Sequence, residues 1–235
     1  MKRHKKIRWI CLSVVDSTNE YAMREVDGHN VVVRAIKQLA GKGRDGRTFL
    51  SDEGGVYMSL VRRDCIPVEE SAKYYMAAPL AVCDALLQLG VDACIKWPND
   101  VRVGKDKIAG ILVENVLRDG MVDKAVIGIG VNVANDVSTV PCAATNLVRL
   151  ASRATPKRVA KRIAVRLDAL LEHSLEDLRL AIKDRLLTLG KTVIFADGRE
   201  GVAVDLAADG RLVVQCEGRE SLVAAGDVTL KEEVC

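Results

Sequence analysis

Alternating apolar and polar positions, interrupted by turn-forming residues, divide most of the chain into short strands. Such runs occupy residues 5–15, 31–38, 54–62, 93–96, 108–117 and 121–134. The last two are joined by the sequence RDG at 118–120, which is typical of a tight hairpin turn. The pattern therefore predicts six strands, of which the last two form a hairpin.

Four helices are predicted between and after these strands. The first two cover residues 18–26 and 69–89. A third begins at Thr155-Pro156, because a threonine N-cap followed by proline in the first turn favours a helix start. A fourth begins at Ser174, where an acidic residue follows three positions later.

The sequence pattern changes after about Gly190. Short β-branched runs then alternate with turn sequences, the runs being KTVIF, GVAVDL, RLVVQCE and SLVAAGDVTL. Strands and glycine-containing turns at this spacing are typical of a small all-β module. The sequence therefore predicts an α+β protein of two domains, residues 1–188 and residues 189–235.

Composition and charge point to no special partner. The 35 Lys and Arg against 32 Asp and Glu leave a net charge of +3, far below the excess typical of nucleic-acid binding. The basic start MKRHKKIR is followed by only WICLSVV before Asp16, which is too short for a signal or membrane segment. Seven cysteines show neither C-x-x-C nor zinc-type spacing with histidine, so we expect no metal ligands, reduced thiols and a cytoplasmic location.

A glycine-rich stretch, AGKGRDGRTFLS at 40–51, satisfies one nucleotide-binding pattern and nearly satisfies another. Gly41, Gly43 and Gly46 form G-x-G-x-x-G. The same stretch matches a P-loop at every position except Arg47, where that pattern has lysine. Both patterns require a strand before the glycines and a helix directly after them. Because TFLSDEGG and the strand VYMSLV follow instead, neither a Rossmann nor a P-loop site is expected.

The charges of this stretch leave two interpretations open. Lys42, Arg44 and Arg47 stand against the single Asp45. Cationic side chains could therefore bind an anion without help from a helix end. The alternative is a flexible, solvated hairpin loop, since glycine and charged residues are common in loops.

Four further polar stretches accompany the loop. They are DSTNEYA at 16–22, KWPNDV at 96–101, GKDKIAGILVEN at 104–115 and GIGVNVAN at 128–135. A helix N-cap would explain part of the first, and a turn would explain the second. Asn132 is harder to explain structurally, because a buried amide inside an apolar strand needs hydrogen-bond partners.

In this order, the stretches resemble the biotin protein ligases, from about Val15 to the small β module. That family has an S-T-N near its start, then G-R-G-R-x-G-R, K-W-P-N-D, K-[IL]-A-G-I-L and G-x-G-[IV]-N; this chain has DSTN, GKGRDGR, KWPND, KIAGILVE and GIGVN. The resemblance implies a catalytic domain of the class II aminoacyl-tRNA synthetase-like type, with a mixed β-sheet and helices. It also implies a small C-terminal SH3-like β-barrel.

The resemblance implies a two-step ligase reaction. Biotin is activated by ATP, with Mg²⁺, to biotinyl-5′-AMP, and the biotinyl group then passes to a lysine of a biotin carboxyl carrier protein. A lipoate ligase or octanoyl transferase of similar fold is the nearest alternative, followed by a non-catalytic module that binds biotin or its adenylate. Whether the chain is a monomer or a homodimer is left open.

The resemblance also assigns roles to residues. The expected catalytic residues are Arg44, Lys107 and Asp100. The expected biotin-binding residues are Ser17, Thr18, Asn19, Gln38, Lys42, Arg44 and Lys107. The expected residues for ATP and the adenylate are Gly41, Gly43, Arg44, Arg47, Phe49, Lys96, Trp97, Asn99 and Asn132. No histidine falls in any of the motifs, so histidine base catalysis is not expected.

The chain departs from the family pattern in two places. Lys42 replaces the usual arginine, and its point charge cannot form a bidentate fork. Phe49 replaces the usual tryptophan, which makes the aromatic cover smaller. The 16 residues before Ser17 are too few for the winged helix-turn-helix of bifunctional members, so DNA binding is not expected.

Overall fold

The computed structural model describes residues 7–140, 142–151 and 154–231. The helices are α1 (Thr18–Glu25), α2 (Ala72–Leu87), α3 (Pro156–Leu170) and α4 (Leu175–Lys183). The first strands are β1 (Arg8–Val15), β2 (Val31–Gln38), β3 (Val56–Arg62), β4 (Ile66–Pro67), β5 (Cys94–Lys96) and β6 (Asp100–Val103). The others are β7 (Asp106–Arg118), β8 (Met121–Val131), β9 (Thr192–Phe195), β10 (Glu200–Leu206), β11 (Leu212–Cys216), β12 (Arg219–Val223) and β13 (Val228–Leu230).

One large mixed sheet forms the centre of the protein. Its strand order is β1-β2-β3-β8-β7-β6-β5, with β4 paired to β8 at one end. Only β1 and β2 run parallel, and every other neighbouring pair is antiparallel. The prediction of a mixed sheet with helices is therefore confirmed.

The β7–β8 hairpin is the longest pairing in the sheet, and its turn was predicted from RDG. Asp119 and Gly120 both have positive φ, at 50° and 74°. Positive φ at both central positions is the pattern of a type I′ turn, whose twist matches that of the flanking strands. The hairpin thereby fixes which residues of β7 face those of β8.

Helices cover the two faces of the sheet unequally. Helices α2 and α3 cover one face, where their side chains join those of the sheet in the main core. On the other face, α1 packs through Ala22 against a small cluster that contains Val33 and Val126. Because α1 has only eight residues, much of that second face is left for the polar stretches.

Most predicted elements are present, with differences at their ends. Residues 5 and 6 of the predicted first strand lie outside the described residues. Helix α3 begins at Pro156 as expected, and Ser174 caps α4 by accepting a hydrogen bond from the Asp177 amide. The predicted strands do not include β4 and β6, which are two and four residues long and pair with β8 and β7.

The C-terminal module is a five-stranded antiparallel sheet in the order β12-β11-β10-β9-β13. Within the described residues, no pairing between β12 and β13 closes it. The β module is therefore confirmed, whereas the closed SH3-like barrel is not. The module contacts the large domain through the indole of Trp97, whose Nε1 donates to the Gly210 carbonyl at 3.0 Å.

None of the helices in the described ranges combines the length and the apolar character that crossing a membrane requires.

Candidate active site

Strand register brings residues from five strands into one row on the face of the sheet that carries α1. The row runs Ala35, Tyr57, Gly130, Gly110 and Asp100, each residue pairing with the next. Across β5, the partner of Asp100 is Lys96. Residues from separate sequence motifs therefore meet because the strands pair in this register.

The two glycines in this row leave a bare patch on the sheet, and Phe49 occupies it. A Cβ atom at Gly130 would lie 2.5 Å from the Phe49 ring, and one at Gly110 would lie 3.3 Å from it. Tyr57 meets the Phe49 ring edge to face, with 6.4 Å between centroids and 70° between planes. A glycine inside a strand often marks such a close approach.

A third strand glycine makes room for α1. A Cβ atom at Gly128 would overlap the Asn19 side chain, which lies over this position. Gly128 pairs with Ser59 on one side and with Leu112 on the other. The first turn of α1 can therefore pack directly on the sheet backbone.

The Asp-Ser-Thr-Asn motif is tied to the glycine loop by a chain of hydrogen bonds. The Thr18 amide and hydroxyl lie 2.8 and 3.0 Å from Gln38 Oε1. Gln38 Nε2 donates to the Ser51 hydroxyl at 2.8 Å, and that hydroxyl donates to the Phe49 carbonyl at 2.8 Å. The predicted residues Thr18 and Gln38 therefore sit together at one end of the site.

The Asn19 amide is already fully occupied as a donor. Its Nδ2 lies 3.2 Å from the Leu112 carbonyl and 2.7 Å from Glu114 Oε2. Its Oδ1 lies 2.6 Å from the Ser59 hydroxyl. An amide has only two N–H groups, so Asn19 shapes the site and has no hydrogen left for a ligand.

Ser17 occupies the N-cap position of α1 without performing the usual capping. Its side chain makes no capping hydrogen bond, although the residue is buried. Its backbone amide donates instead to the Asp16 carboxylate at 2.7 Å. The Ser17 hydroxyl is therefore left for other partners.

The glycine loop is a tight hairpin. Gly43 donates its amide to the Arg47 carbonyl at 2.7 Å, and the Arg47 amide donates to the Arg44 carbonyl at 3.0 Å. Asp45 and Gly46, at the tip, have φ of 54° and 72°, as in a type I′ turn. The stretch therefore forms a hairpin that carries Lys42, Arg44 and Arg47, and this geometry is compatible with both interpretations.

At the base of the loop, Gly41 has no room for a side chain. Its Cβ would overlap the Phe49 carbonyl oxygen and lie 2.5 Å from the Ser51 hydroxyl oxygen.

A cavity of about 460 Å³ lies between the loop and strand β7. Its lining consists of Lys42, Gly43, Arg44, Asp45, Gly46, Arg47, Leu112 and Glu114. The side chains of Arg44 and Arg47 make no hydrogen bond or ion pair with the described residues. A cavity with unpaired guanidinium groups suits an anionic ligand.

Lys42 differs from the two arginines because it is already paired. Its ammonium forms an ion pair with Glu20 of α1, and this hydrogen bond raises the pKa of Lys42 above its ordinary value. Both side chains are substantially exposed. Lys42 therefore links the loop to α1 and does not point an unpaired charge into the cavity.

Lys107 and Asp100 form an ion pair beside the bare glycine patch. Lys107 Nζ lies 2.7 Å from Asp100 Oδ1 and 6.0 Å from the centroid of the Phe49 ring. A β-bulge between β6 and β7 shifts the register next to Lys107. A β-bulge changes the direction in which nearby side chains point. Here it lies beside Lys107, whose side chain contacts Asp100 on the neighbouring strand β6.

Asn99 and Asn132, the two amides expected to contact the nucleotide, differ in their hydrogen bonds. Asn99 Nδ2 donates to the Ile111 carbonyl at 2.9 Å. This hydrogen bond connects the turn that contains Asn99 to β7. Asn132 is buried, and its Oδ1 accepts from Asn135 Nδ2 at 3.0 Å. No hydrogen bond from Asn132 Nδ2 reaches a described residue, so its two N–H groups remain available.

Trp97 contacts the C-terminal part of the chain. Its indole nitrogen points to Gly210 of the C-terminal sheet, and its backbone amide donates to the Thr188 hydroxyl at 3.0 Å. The residue is nearly completely buried by these contacts. These contacts give Trp97 a packing role between the two domains.

Sequence reasoning missed four residues at the site. They are Ser51, Tyr57, Ser59 and Glu114. Ser59 had a signal, since it is the one serine in the strand VYMSLVR. Tyr57 and Glu114 depend on the sheet register, and Ser51 depends on the path of the glycine loop, neither of which the sequence motifs specify.

No cluster of three or more His, Cys, Asp or Glu residues suited to a metal ion occurs within the described ranges.

Comparison with known proteins identifies relatives over much of the chain. Residues 11–132 match the model of the Biotin/lipoate A/B protein ligase family. The biotin--[acetyl-CoA-carboxylase] ligase of Mycobacterium tuberculosis is 34% identical over 218 residues, which cover 87% of this chain and 79% of that protein.

The bifunctional ligase/repressor BirA of Bacillus subtilis is 32% identical over 161 residues, which cover 68% of this chain. The match covers 49% of BirA, so the chain spans about half the length of this relative.

A solved structure shares the architecture of nearly the whole chain. It is the biotin protein ligase from Aquifex aeolicus in complex with biotin and ATP. Its TM-score is 0.81 at 28% sequence identity, with 95% of this chain and 98% of that chain covered.

The contact between Gly128 and Asn19 can be tested through stability. We expect Gly128→Ala to lower the free energy of unfolding by about 1–3 kcal/mol, because the added methyl group overpacks the site. In an Asn19→Ala background the same change should cost much less, since the space has been vacated. Urea unfolding of the four proteins measures this coupling, and equal costs in both backgrounds would show that the two residues do not compete for space.

Proposed function

Because the chain belongs to the biotin/lipoate A/B protein ligase family, we propose that it activates biotin with ATP and transfers the biotinyl group to a protein lysine. The acceptor is a biotin carboxyl carrier protein or domain. The observation that carries the proposal is the juxtaposition of the Lys107–Asp100 pair, the Gly110–Gly130 patch and the unpaired loop arginines. This arrangement supplies cations for an anionic reaction and a carboxylate for the amine that follows.

The proposed biotin-binding part of the site, here called the biotin end, is where Thr18 of the Asp-Ser-Thr-Asn motif contacts Gln38. The ureido ring of biotin offers both N–H donors and a carbonyl acceptor. The Ser17 hydroxyl can donate and accept, and Gln38 Nε2 keeps one hydrogen after its bond to Ser51. Lipoate has no ureido group, so it would leave these buried groups unpaired and should be rejected.

In the first step, the biotin carboxylate attacks the α-phosphorus of ATP and pyrophosphate leaves. Both reactants are anions, so positive groups around the reacting oxygens lower the barrier. Arg44 and Arg47 line the cavity without internal partners, and Lys107 lies beside the glycine patch. These three are the proposed cations, while Lys42 holds the loop to Glu20.

At the nucleotide end, Asn132 supplies the available amide. Its Oδ1 is fixed by Asn135, which directs Nδ2 away from that contact. The adenine ring nitrogens are acceptors, and two N–H donors suit them. Phe49 provides the aromatic surface over the glycine patch, and Asn99 positions the turn between Pro98 and β6.

In the second step, the lysine amine of the carrier attacks the acyl carbon of the mixed anhydride, and AMP leaves. The lysine arrives as an ammonium and must lose a proton first. Asp100 can accept this proton once Lys107 has turned from it to the adenylate phosphate. The 2.7 Å ion pair thus holds the base neutralised until an anion draws Lys107 away.

Mg²⁺ would arrive with the nucleotide. It would neutralise the charge of the ATP phosphates and so favour the departure of pyrophosphate.

Several broader features belong to the same proposal. Residues 1–188 form the ligase domain and residues 189–235 a small domain of SH3-like type. The protein is proposed to be cytoplasmic, because its cysteine spacing indicates no disulfide framework.

Substrate choice tests the proposed function directly. We expect pyrophosphate release from Mg·ATP to depend on biotin and to stay at background when lipoate or octanoate replaces it at the same concentration. The reason is the unpaired polar groups that lipoate would leave in the biotin end. Faster release with lipoate than with biotin would assign the protein to the lipoate branch of the family.

A matched variant separates the role of Lys107 from the effect of removing any positive charge near the site. Lys107→Ala should slow biotin-dependent pyrophosphate release by on the order of a hundredfold, the usual effect of removing one preorganised donor. Lys105→Ala is the matched control, because this exposed lysine lies two residues away in the β6–β7 turn. If both variants retain the same rate, Lys107 does not stabilise the first step.

Asp100 is expected to serve the second step. Asp100→Asn keeps the shape and removes the basic oxygen, so the adenylate should form while its transfer to the carrier slows by ~10²–10⁴. Single-turnover measurements of each step decide the point. Unchanged transfer from preformed adenylate contradicts the base assignment, and loss of both steps together indicates a structural role.

A further inference from the structure

Ser59 is a buried hydroxyl at a position where the sequence pattern expects an apolar residue. It lies in the centre of β3 and has no exposed surface. Its neighbours across the sheet are Val33 and Gly128. Burial of a hydroxyl is unfavourable unless it is hydrogen-bonded, so its partners explain why it is tolerated there.

Both partners of Ser59 belong to the Asp-Ser-Thr-Asn motif. The Ser59 hydroxyl oxygen lies 2.8 Å from Thr18 Oγ1 and 2.6 Å from Asn19 Oδ1. Thr18 in turn contacts Gln38, and Asn19 contacts Glu114. One serine therefore connects the sheet to both branches of the network at the biotin end.

The hydrogen inventory gives Ser59 a directing role. Asn19 Oδ1 can only accept, so the Ser59 hydroxyl is its donor. This bond, together with the bond from Nδ2 to Glu114, fixes the orientation of the Asn19 amide. The Ser59 oxygen is then left to accept the single hydroxyl hydrogen of Thr18, while the Thr18 backbone amide donates to Gln38 Oε1.

We propose that Ser59 is a positioning residue for biotin recognition, acting through Thr18 and Asn19 without touching the substrate. This inference rests on the proposed function. Ser59 belongs to the row that contains Gly128 and Leu112, whereas the nucleotide end is built on the row of Gly110 and Gly130. Substitution of Ser59 should therefore change the KM for biotin much more than the KM for ATP.

The test is the Ser59→Ala variant, assayed for biotin-dependent pyrophosphate release. The KM for biotin should rise about three- to tenfold, the consequence of losing one buried hydrogen bond, while the KM for ATP changes less than about twofold. Ser59→Cys, which keeps a weak donor of similar shape, should fall between the alanine variant and the wild type.

A double-mutant cycle checks the route of the effect. Thr18→Val removes the Thr18 hydroxyl at nearly constant shape, so Ser59→Ala should raise the KM for biotin less in this background than in the wild type. The control is Ser174→Ala, which removes the α4 cap, lowers the melting temperature and should leave the KM for biotin unchanged.

The outcomes distinguish this inference from the function on which it rests. A wild-type protein that neither binds nor activates biotin overturns both. An active wild type with an unchanged Ser59→Ala variant overturns the inference alone. Equal rises in the KM for biotin and for ATP, or a shift in Ser174→Ala matching that in Ser59→Ala, would show that Ser59 acts only through stability.

Discussion

The candidate site exists because three positions on one face of the sheet carry no side chain. Protein interiors are close-packed, so a helix turn or an aromatic ring can lie against strand backbone only where Cβ atoms are missing. Gly128 admits the Asn19 side chain, and the Gly110–Gly130 pair admits the Phe49 ring. These contacts bring α1 and the glycine loop down onto the same face, next to the Lys107–Asp100 pair.

Charge is distributed unevenly over this surface, and the distribution suits two successive reactions. Arg44 and Arg47 are unpaired within the described structure, whereas Lys42 and Lys107 each have a carboxylate partner. In the proposed reaction, an incoming phosphate would meet these two available cations first and would then compete with Asp100 for Lys107. In the account proposed above, this exchange makes the base of the second step available only after the adenylate has formed.

Much of the fold could be predicted from the sequence, because strand patterning and helix caps are local signals. The β7–β8 hairpin, the start of α3 and the cap of α4 are examples. Strand β6 was missed because four residues give too short a pattern, and it becomes a strand by pairing with β7. The closed C-terminal barrel was implied only by resemblance, and the sheet formed by β9–β13 is open in the described residues.

The site was predictable as a set of motifs but not as a geometry. Thr18 contacts Gln38 and Lys107 contacts Asp100, while the indole of Trp97 donates to the C-terminal sheet. The direction of a side chain depends on register and bulges, which no single motif encodes.

The measurement that tests the central claim most directly is the mass of a carrier. The protein is incubated with Mg·ATP, biotin and a purified biotin carboxyl carrier domain, and the carrier is then analysed by mass spectrometry. The account predicts the addition of one biotinyl group to one lysine, only when both biotin and ATP are present. An unchanged carrier, under conditions in which an established biotin protein ligase modifies it, would contradict the account.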